Sequence, residues 1–466
     1  MAVSPSNTIL PFKSHLHNSP LQSQTQLSLP LSIQKSQLTV FRKLNLTTRS
    51  LSTPHVLSKS NDSSSSSTVT EPVKDEPKRI LSDCWREFHG ENDWAELLEY
   101  PMDPLFRSEL IRYGEMAQAC YDAFNVDPFS KYCGSCRFTR REFLTRLGME
   151  SSGYEITRYL YAKVNVNLPH FFKKSRSKGW SENANWFGYV AVSNEERSAV
   201  LGRRDITIAW RGTGTNPELL EDLKGFFRQI PSDNIPCPDP TVKVESGFLD
   251  FYTDKNNFGF VKCSAREQIL SEVKRLMEIY RNEEVSVTIT GHSLGSALAI
   301  LSGYDIVDKG INAMGDSRVV PVCVYSFSGP RVGNVRFKEK VKELGLKVLR
   351  VVNVHDLVPK LPLCYSHVGV ELELDHKNSP FLRPADGDEF CAHNLEAHLH
   401  LLDGYYGKDN PHGRGHDRFI LSTGRDTALV NKSCDFLKDY LDVPPNWRQE
   451  ENKGMVKGED GRWIHS

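Results

Sequence analysis

The sequence predicts an α/β fold in which a mostly parallel central sheet is flanked by helices and preceded by an N-terminal helical extension. Two observations lead there. Between Trp186 and Val354, short β-branched or aromatic runs alternate with helical stretches, the order that sets parallel strands side by side through helical crossovers. Within that region, the β-branched run Val285–Thr290 passes directly into Gly291-His292-Ser293-Leu294-Gly295 and then into a small-residue helix.

The elements follow in order. The first aromatic anchors are Trp85, Phe88 and Trp94, which with Leu97 and Leu98 lead into a helix over Leu105–Phe124. Its apolar residues recur at mixed spacing close to one helical turn. Trp186–Val192 reads as a strand, and Asp205–Trp210 as another, ended by Arg211-Gly212-Thr213-Gly214. Val242–Val244 is a further short candidate. Ser264–Tyr280 places Ile269, Leu270, Val273, Leu276, Met277 and Tyr280 on one helical face. Ser296–Asp308 reads as the helix after the tight turn, and Val319–Phe327 and Lys347–Val354 as two more strands.

Residues 1–61 contain no Asp or Glu, carry Lys13, Lys35, Arg42, Lys43, Arg49 and Lys59, and are rich in Ser and Thr. That is the composition of a transit peptide, and the excess of Ser and Thr over Arg favours the chloroplast. Residues 62–78, with the run Ser63–Ser67, read as a disordered linker. Residues 79–185 read as a helical region packed on the core, and 186–466 as the core itself.

With Lys+Arg 58 against Asp+Glu 59, the net charge of -1 provides no basic field for nucleic acid. No apolar run reaches the ~18 residues of a membrane-spanning helix, so the expected membrane contact is peripheral. The ten cysteines are scattered. Cys133-Gly134-Ser135-Cys136 has the spacing of a redox pair or half a zinc site, but no second pair completes a metal set. No metal and no cofactor are expected.

The chemistry centres on Gly291–Gly295. A serine at the apex of a strand-to-helix turn needs neighbours without side chains two positions to either side, and Gly291 and Gly295 supply them. This is the nucleophile elbow of the α/β-hydrolase fold, with Ser293 as nucleophile. A serine needs a base and a carboxylate to orient that base, and in this fold they follow in the order Ser, acid, His. Asp356 lies just past the strand ending at Val354, in Val354-His355-Asp356-Leu357-Val358-Pro359. His367, His376, His393, His398, His400, His412 and His416 follow it. His393, on a loop leading into a helix, is the preferred base, with His400 and His376 as alternatives. His292 is expected to be structural. The oxyanion donors expected are the Leu294 N–H, at the helix start, and Thr213 after the earlier strand.

At this point the chain resembles a known family. Gly291–Gly295, Arg211-Gly212-Thr213 and Ser328-Gly329-Pro330-Arg331-Val332-Gly333-Asn334 are similar to motifs of the class 3 lipases. Glu109–Met116, Val244–Phe248 and Cys391–Gly404 resemble the plant chloroplast class I phospholipases A1, the group that includes the jasmonate-forming lipase of anther dehiscence. The resemblance runs from about residue 80 to the C-terminus. It implies hydrolysis of the sn-1 acyl ester of phospholipids such as phosphatidylcholine, with galactolipids and triacylglycerols as further substrates. It also implies a triad of Ser293, Asp356 and His393 and an oxyanion donor at Thr213; no protein partner is predicted. A lid over Pro217–Phe227 would lie on the lipid surface when open. Ser296 departs from the family's usual Gly or Ala, and the loop between Pro359 and His367 is short. Two other readings use the same residues: an acyltransferase or non-lipid esterase, and a catalytically idle lipid-binding scaffold.

Overall fold

The computed structural model describes residues 79–127, 129–162, 185–213, 232–234, 239–255, 262–315, 317–384, 389–407, 419–448 and 451–466. The expected transit peptide, the linker, the lid stretch 217–227, His412 and His416 lie outside these residues.

The described chain opens with helices α1 (Leu81–Phe88), α2 (Pro104–Asp122) and the single turn α3 (Phe143–Arg146). Strands β1 (Tyr154–Ala162) and β2 (Asn185–Ser193), helix α4 (Glu195–Leu201), and strands β3 (Arg204–Trp210), β4 (Ser232–Asn234) and β5 (Lys243–Glu245) follow. Next come helices α5 (Ser246–Thr253) and α6 (Ala265–Ile279), β6 (Val285–His292), α7 (Leu294–Asp308) and β7 (Val322–Phe327). Helix α8 (Val335–Glu343), β8 (Lys347–Asn353), β9 (Val370–Leu374), α9 (Glu389–His393) and α10 (Leu395–Asp403) complete the core. A small antiparallel pair, β10 (Met455–Lys457) and β11 (Trp463–His465), lies near the C-terminus.

Seven strands form the main sheet in the order β1-β2-β3-β6-β7-β8-β9. From β3 to β9 every pairing is parallel, while β1 and β2 join antiparallel at one edge. The mostly parallel sheet expected from the alternating pattern is therefore present. The 79–185 stretch is not purely helical, because it contributes β1 to the sheet edge. That strand mixes Glu155, Thr157 and Arg158 with its apolar residues and has two register shifts, as edge strands commonly do.

Both faces of the sheet are covered, which explains its near-continuous apolar strands. Successive side chains alternate between two cores. Ile206, Ile208, Val287, Ile289, Val322 and Val324 enter one core together with α6 and α7. Ala209, Cys323, Tyr325, Phe327, Leu349 and Val351 enter the other together with α2 and α10. Helix α2 is buried on nearly every side, and this accounts for its irregular apolar spacing. Its register on the sheet is fixed by the buried Asp205 carboxylate. That group accepts hydrogen bonds from Tyr113 (2.9 Å), Tyr154 (2.7 Å), Thr207 (2.8 Å), Ser286 (2.8 Å) and Thr288 (2.7 Å). With α2 so anchored, its C-terminal turn reaches the end of the sheet where the parallel strands terminate.

Candidate active site

Ser293 stands between β6 and α7 with φ +58° and ψ -128°, a conformation a non-glycine residue adopts only when its surroundings enforce it. The flanking glycines show what enforces it. A Cβ on Gly291 would sit 2.3 Å from the Gly295 carbonyl oxygen, and one on Gly295 would sit 2.6 Å from that of Trp210. The Ser293 N–H donates to the Phe327 carbonyl at 3.0 Å, tying the turn to β7. Ser296 is accommodated without displacing the turn. Its hydroxyl donates to the Gly291 carbonyl at 2.6 Å, and its Cβ occupies space left by Gly329, where a Cβ would approach to 2.5 Å.

Asp356 lies just past β8, fully buried. Its Oδ1 accepts the Val358 N–H at 2.9 Å, and its Oδ2 lies 2.7 Å from His393 Nδ1. A carboxylate can only accept in that contact, so Nδ1 carries the proton and Nε2 presents a lone pair. His393 Nε2 is buried and makes no hydrogen bond in the structure. Its ring packs against that of His292, the residue preceding Ser293, with centroids 4.6 Å apart and planes tilted by 37°. Ser293, Asp356 and His393 are thus gathered at one end of the sheet from three separate segments.

The other histidines have different engagements. His400 is hydrogen-bonded to Ser379 at 2.8 Å, and His376 contacts Asn353 at 3.3 Å; both are buried. Burial pushes His400 down to about 3 and His367 down to about 4, leaving both neutral near pH 7. His398 accepts the Ser328 hydroxyl proton at Nε2 (2.6 Å) and donates from Nδ1 to the Asn394 carbonyl (2.8 Å). This second Ser–His pair is fully buried and pins β7 to α10.

His292 has a structural engagement, as expected, and its partner comes from a residue the sequence did not single out. The Gly212 N–H donates to the Tyr121 hydroxyl oxygen at 2.8 Å, leaving that hydroxyl to donate to His292 Nδ1 at 2.7 Å. His292 must then carry its proton on Nε2, which donates to the His393 backbone carbonyl at 2.8 Å. Burial holds His292 well below its ordinary pKa, so the neutral tautomer persists. A chain of contacts therefore runs from α2 through the elbow to the backbone of His393. Tyr121 lay within the helical stretch read from the sequence, but its long-range contact had no local signal.

Thr213 is buried, and its Oγ1 makes no hydrogen bond in the structure. The carbonyl of the peptide before it is held by an anchored guanidinium. Arg211 donates from Nη1 to the Gly212 carbonyl at 2.9 Å and from Nε to the Trp186 carbonyl at 3.0 Å. Its guanidinium lies between the rings of Phe124 and Phe187, 3.7 Å and 3.9 Å from their centroids. Burial lowers the Arg211 pKa to about 9, still charged at neutral pH. In a trans peptide the C=O and N–H point in opposite directions, so fixing the Gly212 carbonyl toward Arg211 aims the Thr213 N–H away from it. Gly212 must be glycine, since a Cβ would meet the Tyr121 hydroxyl at 2.6 Å and Ser293 Cβ at 2.9 Å. Leu294 is the first residue of α7, where the N–H has no acceptor within the helix.

Among the described residues no cluster of three or more metal-binding side chains occurs, and no helix is long and apolar enough to cross a membrane. Cys133 and Cys136 are free thiols. The arrangement suits transfer of an acyl group to a serine hydroxyl.

Residues 207–366 match the family model described as lipase (class 3). Over 419 residues the chain is 59% identical to phospholipase A1-Igamma2, chloroplastic, of Arabidopsis thaliana, covering 84% of this chain and 78% of that one. It is equally similar, 59% over 416 residues, to phospholipase A1-Igamma1, chloroplastic, of the same plant, covering 84% and 79%. Phospholipase A1-II 6 of Oryza sativa subsp. japonica is 43% identical over 402 residues, covering 82% of this chain and 94% of that one.

Proposed function

Because the chain belongs to the class 3 lipases, in the group of chloroplastic phospholipases A1, we propose that Ser293, His393 and Asp356 form the triad with which it cleaves the sn-1 acyl ester of phosphatidylcholine. The protein is a carboxylic ester hydrolase acting on lipid, and it is chloroplastic, with residues 1–61 proposed as the transit peptide. Galactolipids and triacylglycerols are proposed as further substrates, and Pro217–Phe227 as a lid.

The observation that carries the proposal is the 2.7 Å contact between His393 Nδ1 and Asp356, which leaves the His393 Nε2 lone pair free beside the elbow. In this reading His393 takes the Ser293 proton as Oγ attacks the ester carbonyl. The oxyanion forms against the N–H groups of Thr213 and Leu294. The tetrahedral intermediate collapses, and the lysophospholipid leaves with the proton returned by His393. Water, deprotonated by the same imidazole, then attacks the acyl-Ser293 ester and releases the fatty acid. His393 Nε2 makes no hydrogen bond to Ser293 in the structure, and catalytic contacts of this kind commonly tighten only in the substrate complex.

The test is hydrolysis of phosphatidylcholine carrying different acyl chains at its two positions. The proposal expects the sn-1 chain as free acid and the 2-acyl lysophospholipid as product. Release of the sn-2 chain would overturn the regiochemistry, and transfer of the acyl group to an added alcohol in preference to water would favour an acyltransferase.

A further inference from the structure

Between α2 and α3 the chain makes a tight loop, described at residues 125–127 and 129–135, that bears three exposed apolar side chains. Val126 is 59% exposed, Phe129 96% and Tyr132 58%, on one short segment. A single exposed apolar residue needs no explanation, but a cluster with two aromatics costs solubility unless something covers it.

The loop is built rather than slack. Its ends are paired by Asn125 N–H to Ser135 O and Gly134 N–H to Asn125 O, each 2.9 Å. The Asp127 carboxylate accepts the Phe129 N–H at 2.9 Å, which turns that charge back onto the loop's own backbone. The Ser130 hydroxyl accepts the Tyr132 N–H at 3.1 Å and an Asn125 side-chain N–H at 3.0 Å. Lys131 lies with its ammonium 4.8 Å from the Tyr132 ring centroid. Gly134, at φ +84°, permits the final turn.

Its position gives it meaning. The Gly134 carbonyl accepts the Trp186 N–H at 2.8 Å, at the start of β2. Strand β2 runs antiparallel to β3 with Gly188 opposite Trp210, so its start lies at the sheet end where β3 and β6 finish. That is the end carrying Thr213 and Ser293. Tyr121 and Phe124, just before the loop, touch Gly212 and Arg211 directly.

We propose that the 125–135 loop is an interfacial anchor, in which Phe129, with Val126 and Tyr132, inserts into the acyl boundary of a lipid bilayer and holds the mouth of the site against its substrate surface. This rests on the lipid-hydrolase reading above. An amphipathic aromatic with a neighbouring Lys suits the headgroup boundary, where the ring is buried and the ammonium stays among phosphates. The anchor is distinct from the lid stretch.

Three proteins test it: the wild type, Phe129→Ser/Tyr132→Ser, and Phe129→Trp. Each is assayed on p-nitrophenyl butyrate as a dissolved ester and on phosphatidylcholine vesicles. The double variant is expected to hold the butyrate rate within about twofold while vesicle hydrolysis and co-sedimentation fall at least about ten-fold, since two large apolar groups no longer leave water. Unchanged vesicle hydrolysis and co-sedimentation would overturn the anchor. If the wild type hydrolyses neither ester, the function reading fails instead, and the anchor is still decided by Phe129→Trp. Its added fluorescence should shift blue and be quenched by brominated lipid on vesicles; an unshifted, unquenched signal overturns the anchor. The same Trp readout decides the case if the double variant loses butyrate activity.

Discussion

His292 Nε2 donates to the backbone carbonyl of His393 across 2.8 Å, so the residue beside the apex serine holds the C-terminal end of α9, which carries the imidazole. The hydroxyl of Tyr121 sets the His292 tautomer and at the same time accepts the Gly212 N–H. One phenol thus touches both the residue that holds His393, the proposed base, and the peptide preceding Thr213, the proposed oxyanion donor.

Replacing Tyr121 by Phe removes that hydroxyl and leaves a buried N–H and a ring nitrogen without partners. Such groups cost about 1–3 kcal/mol, which in a barrier corresponds to a roughly 5- to 150-fold loss of rate. Steady-state kinetics of Tyr121→Phe on a dissolved ester should show that loss in kcat with KM little changed. A fall in thermal stability with kcat retained would assign Tyr121 a purely structural role.

Arg211→Lys keeps a positive charge but loses the planar group that lies between Phe124 and Phe187 while donating to two carbonyls. With the Gly212 carbonyl released, the Thr213 N–H loses its aim. The expected outcome is at least about a ten-fold fall in kcat, in the range measured for loss of an oxyanion donor or somewhat below it. Unchanged kinetics would place the oxyanion contact elsewhere.

Asp356→Asn should lower kcat by about 10⁴, because an amide at that position favours the tautomer with the proton on the wrong nitrogen. The fold should survive, since the Val358 N–H still finds an oxygen at residue 356. Circular dichroism and a rate assay on the same preparation check both halves of the expectation.

Burial pushes His89 and His400 down to about 3. Between about pH 6.5 and 3 the unfolded chain binds protons at these positions that the folded chain refuses. Their contribution is complete above about pH 6.5 and is lost as the pH falls toward 3, at up to about 1.4 kcal/mol per pH unit for each group. Urea midpoints should therefore drop between pH 7 and pH 5, and His400→Gln should show a shallower drop.

Much of this was legible in the sequence because the decisive signals are local. The central strands are buried on both faces and announce themselves as β-branched runs, and the two glycines around Ser293 are required by backbone contacts within the same turn. Asp356 and His393, which chain order and position suggest as acid and base, lie 2.7 Å apart. The two edge strands were not read. β1 interleaves Glu155 and Arg158 with its apolar residues, and β9 alternates Val370, Leu372 and Leu374 with Glu371 and Glu373, so neither presents a continuous apolar run. Tyr121 escaped for another reason. Its partners are Gly212 and His292, 91 and 171 residues away, and nothing nearby marks a buried hydroxyl. The pairing of Ser328 with His398, 70 residues apart, was hidden in the same way.

The central claim is that the Ser293 hydroxyl is made nucleophilic by His393. A fluorophosphonate probe followed by peptide mass spectrometry tests it most directly. The account predicts adduct on Ser293 in the wild type and labelling slowed by orders of magnitude in His393→Ala. Adduct on another serine, or undiminished labelling of Ser293 without His393, would contradict it.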